Sequence, residues 1–351
     1  MKNRKFTAFA WFFVAYLVGV VLFGAWVRIT GSGNGCGSHW PACNGAIIPQ
    51  APAAKTIIEY THRLMSGLCG IIALVLVVWA RRVSRPVFRA ALLTLFFLIV
   101  ESLLGALLVK RHLVVDDVSV ARAYTVALHL ANTLLLTASA ALLAWRASTT
   151  KRGQSTEWGQ STLSLRGQSG LFPAPLHSGQ SGPSPTPLHP GTASPAARSR
   201  VWLGLALVAL LLTSMSGAVT ALGDTVFPTQ PALDGTLLAK IRADASPSQH
   251  FLVRLRVIHP AVAVLAALLV AGVLIRSVSR RGSAGTAYGR LAALALGAVV
   301  CQTGLGFFNV LLAAPAWMQI VHLLMAQAVW ILTWLVYLAS GRSSTHERTG
   351  A

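Results

Sequence analysis

The feature that most constrains this chain is a series of long uncharged apolar runs. Six of them are roughly 17 to 25 residues long, which suits one helical crossing of a hydrocarbon layer about 30 Å thick. The third contains a single charge, Glu101, and the seventh is far longer than the others: Phe6–Val27, Leu64–Ala80, Ala90–Val109, Ala123–Trp145, Val201–Gly223, Val257–Ile275 and Leu291–Gly341. Because the seventh run is interrupted by AAPAW around Pro315, it predicts two helices joined by a tight turn. The predicted fold class is an all-α integral membrane protein with eight transmembrane helices.

Composition and charge agree with a membrane protein. Hydrophobic residues make up 54% of the chain and charged residues only 11%. The formal net charge of +20 would suit a nucleic-acid-binding domain, but most of the 29 lysines and arginines lie in alternate loops between spans. The positive-inside rule therefore predicts that the N- and C-termini are cytoplasmic, and we expect no nucleic-acid partner. The first span, which follows KNRK, is expected to remain as a signal anchor.

One segment between the spans has a different composition. Residues 147–200 are rich in Ser, Gly, Gln and Pro, and the triplet GQS recurs there four times. Such a composition is typical of a disordered linker, here cytoplasmic. The linker predicts an N-terminal four-helix half at 1–146, a C-terminal four-helix half at 201–341 and a cytoplasmic tail at 342–351.

The two halves contain matching motifs about two hundred residues apart. GAWVRITGSG at the end of the first span has a weak counterpart in GAVTALGDT at the end of the fifth, and ESLLGALLV in the third span parallels QTGLGFFNV in the seventh. His62 opens the second span as His259 opens the sixth, and His129 of the fourth span corresponds to His322 of the eighth. Four matches in the same order predict two pseudo-symmetric four-helix bundles.

These four histidines are the main candidates for a functional site. Counted along the helices at 1.5 Å per residue, all four lie at a similar depth near the outer face. A single intramembrane histidine is often only a hydrogen-bonding contact between helices. Two pairs at matching depths instead indicate bis-histidine heme ligation within each bundle. Zinc is a weaker alternative, because no further ligands accompany either pair.

Charged residues at the outer helix ends extend this interpretation. Arginines suit the two propionates of a heme, although each one is equally typical of an interfacial anchor: Arg28, Arg63, Arg254 and Arg256. Glu59 lies one helical turn from both His62 and Arg63. It is either the partner of Arg63 in an ion pair or a carboxylate beside the heme edge that takes part in proton transfer.

Two cysteines lie in the outer loop GNGCGSHWPACNG. A disulfide between Cys36 and Cys43 is the first expectation on the outer, oxidising side of the membrane. A redox-active dithiol and a metal site that includes His39 remain alternatives. The sequence has no Cys-x-x-Cys-His motif, so covalent c-type heme is not expected.

Taken together, these motifs resemble the heme A synthase family of membrane enzymes. The resemblance rests on VRITGSG with the CGSHWPAC loop, on EYTHR, and on the LHL and VHL histidines of the fourth and eighth spans. It covers nearly the whole chain apart from the linker. Some members carry a second cysteine pair in the outer loop after the fifth span. Residues 223–249 contain no cysteine, so a mechanism that needs this second pair does not apply here.

The resemblance implies different roles for the two halves. In the first half, His62 and His129 would hold the substrate heme O, with Glu59 important to the chemistry. In the second half, His259 and His322 would ligate the iron of a heme b cofactor. The resemblance also implies that the two loop cysteines form a disulfide.

The activity implied by the resemblance is heme A synthesis for heme-copper terminal oxidases. A methyl group of heme O is oxidised through hydroxylated intermediates to a formyl group. Heme O would enter laterally from the lipid of the cell membrane, supplied by heme O synthase, which is a protoheme farnesyltransferase. The electron acceptor, the source of oxygen and the formation of a homo-oligomer are left open by the sequence.

Three other functions compete with this one. A membrane diheme b-type cytochrome would also need four histidines, but the usual electron carriers of this kind bind hemes at both membrane faces. A heme-handling protein would release its heme chemically unaltered. A transporter with parallel repeats would bind no heme at all.

Overall fold

The computed structural model describes residues 2–50, 52–150, 195–229, 237–279 and 286–341. In these ranges the regular secondary structure consists of helices, together with one isolated bridge between Cys43 and Ala46. The helices are α1 (Lys2–Ile29), α2 (Ala54–Ala80), α3 (Arg85–Lys110), α4 (Val120–Thr149), α5 (Pro195–Val226), α6 (Leu237–Asp244), α7 (Phe251–Ser279), α8 (Ala287–Leu311) and α9 (Ala316–Ser340).

Eight of these helices, all except α6, are long and apolar enough to cross a membrane, which confirms the predicted eight spans. The long seventh run is divided where Pro315 predicts: α8 ends at Leu311, and Pro315 caps the start of α9. Ala313 and Ala314 turn the chain between them with φ values of 57° and 53°. The short helix α6 was not predicted, because its sequence LLAKIRAD has no apolar run.

The linker prediction falls mostly outside the described residues, as do 342–351. Its limits differ from the helix ends, since α4 continues to Thr149 and α5 already begins at Pro195. Backbone hydrogen bonding continues a helix beyond its apolar run, for example from Thr150 N to Arg146 O. The domain limits themselves stay a prediction.

Neighbouring helices close into two rings. In the first ring α1 packs on α2, α2 on α3, α3 on α4 and α4 on α1. In the second ring α5, α7, α8 and α9 follow one another in the same order. This arrangement agrees with a four-helix bundle in each half, whereas the pseudo-symmetry of the bundles and the cytoplasmic termini stay predictions.

The two rings meet through their first and last helices, chiefly α4 against α5 and α9. Leu134 of α4, Leu207 of α5 and Trp330 of α9 form a buried cluster at this contact, and Trp330 Nε1 donates to Leu134 O at 2.8 Å. Because α4 has neighbours on both sides, it is the most buried of the spans. One histidine-bearing helix of each ring therefore lies at the contact between the rings: α4 with His129 and α9 with His322.

Candidate functional site

Each of the four candidate histidines lies against a glycine of the neighbouring helix. A Cβ atom placed on Gly24 of α1 would lie 3.0 Å from Cε1 of His62, and one on Gly217 of α5 would lie 2.9 Å from Cε1 of His259. Both distances are at the lower limit of real carbon contacts. The absence of a side chain on these glycines therefore lets the imidazole approach the adjacent helix backbone.

The second histidine of each half also faces a glycine, with a tight approach only in the second half. A Cβ on Gly105 of α3 would lie 3.9 Å from Cε1 of His129, and one on Gly306 of α8 would lie 3.2 Å from Cε1 of His322. All four glycines belong to the repeated motifs that relate the halves. In the sequence, the glycine that recurs at the same place in each pair of aligned motifs is the signal for this contact.

Each ring of helices carries two of the histidines: His62 of α2 and His129 of α4 in the first ring, and His259 of α7 and His322 of α9 in the second. Ligation of a heme by these pairs stays a prediction. Three of the four are partly buried side chains whose Nδ1 atoms are shielded from solvent and lack a hydrogen-bond partner: His62, His129 and His322. A buried polar atom without a partner costs about 1–3 kcal/mol, so the described residues leave these imidazoles incompletely satisfied.

In the first half, an acid of α3 lies beside His129. Glu101 Oε1 is 3.4 Å from His129 Nδ1, a distance of an ion-pair contact but without hydrogen-bond geometry. Asn132 Nδ2 donates to Glu101 Oε2 at 2.7 Å, and Thr133 donates to Oε1. Glu101 thus forms a polar contact between α3 and α4, and it faces the ring nitrogen that would orient His129 if this histidine binds a ligand.

In the second half, the corresponding contacts are neutral. Ser216 Oγ is 2.9 Å from His259 Nδ1, which leaves Nε2 as the nitrogen available to a ligand. Gln302, the counterpart of Glu101, has its Nε2 atom 3.1 Å from His322 Nε2. Ligation through that nitrogen requires Gln302 to give up this contact. The two sites therefore differ in charge next to their histidines.

The outer cysteine loop is closed by the predicted Cys36–Cys43 disulfide and docked on the start of α2. Cys36 N donates to Glu59 Oε2 at 2.8 Å, and Glu59 also pairs with Arg63. Arg63 Nη1 donates to the backbone carbonyl oxygens of His39 and Ala42 at 2.6 Å each. The ion pair expected from the sequence is present, and it has the further role of fastening the disulfide loop beside His62.

This docking buries the candidate catalytic acid. Glu59 is 3% exposed, and both of its carboxylate oxygens have partners. The sequence places Glu59, His62 and Arg63 on neighbouring helix positions, but it does not indicate that the loop covers them. Among the described residues no group of three or more His, Cys, Asp or Glu side chains is arranged to hold a metal ion, so the loop with His39 shows no such site.

The four candidate propionate-binding arginines are separated by the structure. Arg63 is held by the loop, and Arg254 is exposed at the start of α7. Arg256 pairs with Asp224 of α5, with 2.7 Å between Nε and Oδ1, and donates to Gly223 O at 2.8 Å. Arg28 belongs to α1 but makes its contacts in the second half. Binding of propionates by any of the four stays a prediction.

Comparison with known proteins identifies the family to which the chain belongs. The profile described as cytochrome oxidase assembly protein matches residues 7–334. A Thermus thermophilus protein named protoheme IX farnesyltransferase is 42% identical over 346 residues, which cover 96% of this chain and 48% of that protein. This chain thus spans about half the length of that relative.

Bacterial proteins named heme A synthase match over shorter segments. The one from Halalkalibacterium halodurans is 47% identical over 93 residues, which cover 26% of this chain and 31% of that protein. The one from Exiguobacterium sibiricum is 38% identical over 109 residues, covering 30% and 36%. With its eight apolar spans, the chain is a multi-pass protein of the cell membrane. The match over residues 7–334 shows that it belongs to the COX15-CtaA family of cytochrome oxidase assembly proteins.

Proposed function

We propose that this protein is a heme A synthase, which oxidises one methyl group of heme O to a formyl group. The observation that carries the proposal is the pair of imidazoles in each half, each ring set against a helix glycine. Only the first half adds a buried acid within one turn of its first histidine, Glu59 beside His62. The heme A synthases among the relatives support the same activity.

The two halves divide the work in this proposal. The first half, residues 1–146, binds the substrate between His62 and His129. The second half, residues 201–341, holds heme b between His259 and His322. When bound, heme b relays single electrons. The difference in charge beside the histidines, Glu101 in one half and neutral side chains in the other, supports different roles for the two sites.

The overall chemistry removes four electrons from the substrate. With water as the oxygen source, one methyl group and one water give one formyl group, four protons and four electrons, through the hydroxymethyl compound and its hydrated aldehyde. An external electron acceptor receives the electrons. Glu59 is the carboxylate that accepts a proton near the reacting methyl group. Arg63 and the amide of Cys36 hold this carboxylate in one orientation.

The supplier of heme O is proposed to be a heme O synthase. The Thermus relatives are named protoheme IX farnesyltransferase, and this chain matches only about half of their length. The named activity and the unmatched half are consistent with a second enzyme joined to a protein like this one. A direct transfer of heme O between two membrane enzymes would also avoid its loss into lipid.

The deciding experiment is expression in a host that makes heme O but lacks heme A. We expect extracted heme, separated by chromatography with mass detection, to contain heme A or its hydroxylated precursor. The same host carrying the empty vector is the control. Heme b and unaltered heme O alone, in folded protein supplied with oxidant and reductant, would favour a b-type cytochrome or a heme-handling protein instead.

The glycine contacts give a second expected result. Gly217→Ala places a methyl group 2.9 Å from Cε1 of His259, closer than carbon atoms approach in proteins, so the ring must shift. Overpacking of this kind costs about 1–3 kcal/mol, which corresponds to roughly 5- to 150-fold weaker retention of heme b. The measurement is the ratio of heme b to protein after purification.

Gly204→Ala is the matched control on the same helix, since no heavy atom lies within 4 Å of a Cβ at that position. It should keep the full heme content. Equal heme content in the Gly217 and Gly204 variants would show that the contact with His259 has no part in heme binding.

A further inference from the structure

Arg28 is carried by the first half, but its guanidinium group is bound by the second. Its Nη1 atom donates to Ala221 O of α5 at 2.6 Å and to Thr225, and its Nη2 atom donates to Gln319 Oε1 of α9 at 2.8 Å. We infer that Arg28 binds a carboxylate of the heme held in the second half, so that this site is completed by a residue of the other half. The inference rests on the proposed function.

The contacts of Arg28 lie at the right level for this role. Gln319 comes three residues before His322, between that histidine and the start of α9 at Ala316. Ala221 comes four residues after Gly217, the glycine that contacts His259, and near the end of α5. Each position is therefore about one helical turn, 5.4 Å, beyond the imidazole pair and on the same side of it. The guanidinium of Arg28 is thus bound about one helical turn nearer to these helix ends than the second histidine pair.

A second arginine reaches the same level from α7. Arg256 lies three residues before His259 and is bound to Asp224 of α5. Asp224 also interacts electrostatically with Arg28 and Lys240. At this end of the second bundle, the carboxylate of Asp224 is thus paired with Arg256 and lies within electrostatic range of Arg28 and Lys240.

The positive charge is increased further by α4. Arg122 is 5% exposed, interacts electrostatically with Arg28, and has an Nε atom without a hydrogen-bond partner. Its hydrogen bonds go to the backbone oxygens of Val115 and Asp117, and the carboxylates of Asp116 and Asp117 lie within electrostatic range. The hydrogen bonds of Arg28, by contrast, all go to neutral groups, and a cation withdrawn from water is costly unless an anion accompanies it. The two carboxylates of a porphyrin provide anions at the required depth.

The arrangement is not repeated in the first half. In the aligned motifs GAWVRITGSG and GAVTALGDT, Arg28 corresponds to Ala221. The second half therefore has no arginine at this position that could reach into the first half. Arg63, near the first histidine pair, differs from Arg28 because it is paired with a carboxylate, that of Glu59, in addition to its loop carbonyl oxygens. A resident cofactor held by both halves and a substrate held less firmly agree with the need to release product after each reaction.

The test uses the full chain with His62→Ala, so that only the second site retains its histidine pair. In this background Arg28→Gln is compared with Arg28→Lys and with Arg242→Gln, an exposed arginine of α6. Transfer of heme b to excess apomyoglobin should be about tenfold faster or more in Arg28→Gln, because a charge-assisted hydrogen bond is lost. The midpoint potential of the heme should fall, because a nearby positive charge favours the reduced iron. Arg28→Lys should largely restore the potential, and Arg242→Gln should change neither quantity.

Several results would overturn the inference. Unchanged transfer and potential in Arg28→Gln would do so. So would lower thermal stability with an unchanged potential, since that is the effect of a residue that only joins the halves. If the His62→Ala background retained heme after a further His259→Ala change, or bound none to begin with, the two-site proposal itself would fail. That result is separate from any effect of Arg28.

Discussion

His259→Ala and His322→Ala are each expected to remove heme b from the purified protein, whereas His62→Ala and His129→Ala are expected to leave it bound and to abolish product. The reason is that each pair lies within its own ring of four helices, and the rings share no histidine. The measurement is the reduced-minus-oxidised spectrum with extracted heme per protein, in cells with and without heme O synthesis.

The control for this series is a histidine outside both pairs. His112 follows α3 with a φ of 54°, and Asn accepts this left-handed backbone, so His112→Asn changes the side chain without strain. It should retain both heme content and product. Loss of all heme from every one of the four alanine variants would contradict two separate sites and would indicate one site shared by the halves.

The membrane-spanning helices of this fold were predictable because crossing the lipid places one strict requirement on each of them. A segment that crosses lipid must satisfy its own backbone and present apolar side chains over about 20 residues, so the runs from Phe6 to Gly341 define the spans. Pro315 divides α8 from α9 because it cannot continue a helix. Helix α6 was missed since it satisfies no such requirement, and the closed ring of each half depends on which helices pack side by side.

For the candidate site, the sequence predicts which residues take part more readily than it predicts which side chains contact each other. The repeat indicates that His62, His129, His259 and His322 have matching depths, but periodicity within one helix does not reveal contacts to another. Arg28 shows the difference: its position at the end of α1 is evident from the sequence, while its bonds to α5 and α9 arise from packing between the halves. Asp224 and Arg122 were overlooked for the same reason, because their importance depends on neighbours distant in sequence.

Glu59→Gln is expected to lower the formation of heme A about a hundredfold or more, the range typical for loss of a positioned acid or base. The amide oxygen of Gln can still accept the hydrogen bond from Cys36 N, which Glu59 Oε2 accepts at 2.8 Å, so the disulfide loop should stay docked. What is lost is the negative charge and the ability to take a proton. Heme content should therefore be unchanged while product, measured in the host that makes heme O, nearly disappears.

Arg63→Gln separates this catalytic role from the purely structural one. Arg63 pairs with Glu59 and also donates to the carbonyl oxygens of His39 and Ala42, so its loss removes more of the loop's anchoring than Glu59→Gln does. If the two residues serve only to fasten the loop, Arg63→Gln should reduce product at least as much as Glu59→Gln and should make the Cys36–Cys43 disulfide easier to reduce and alkylate. If Glu59 acts on the substrate, Glu59→Gln should be the more damaging change by at least tenfold in product, with the disulfide still protected. The order of the two variants, measured in the same cells, decides which role the buried carboxylate has.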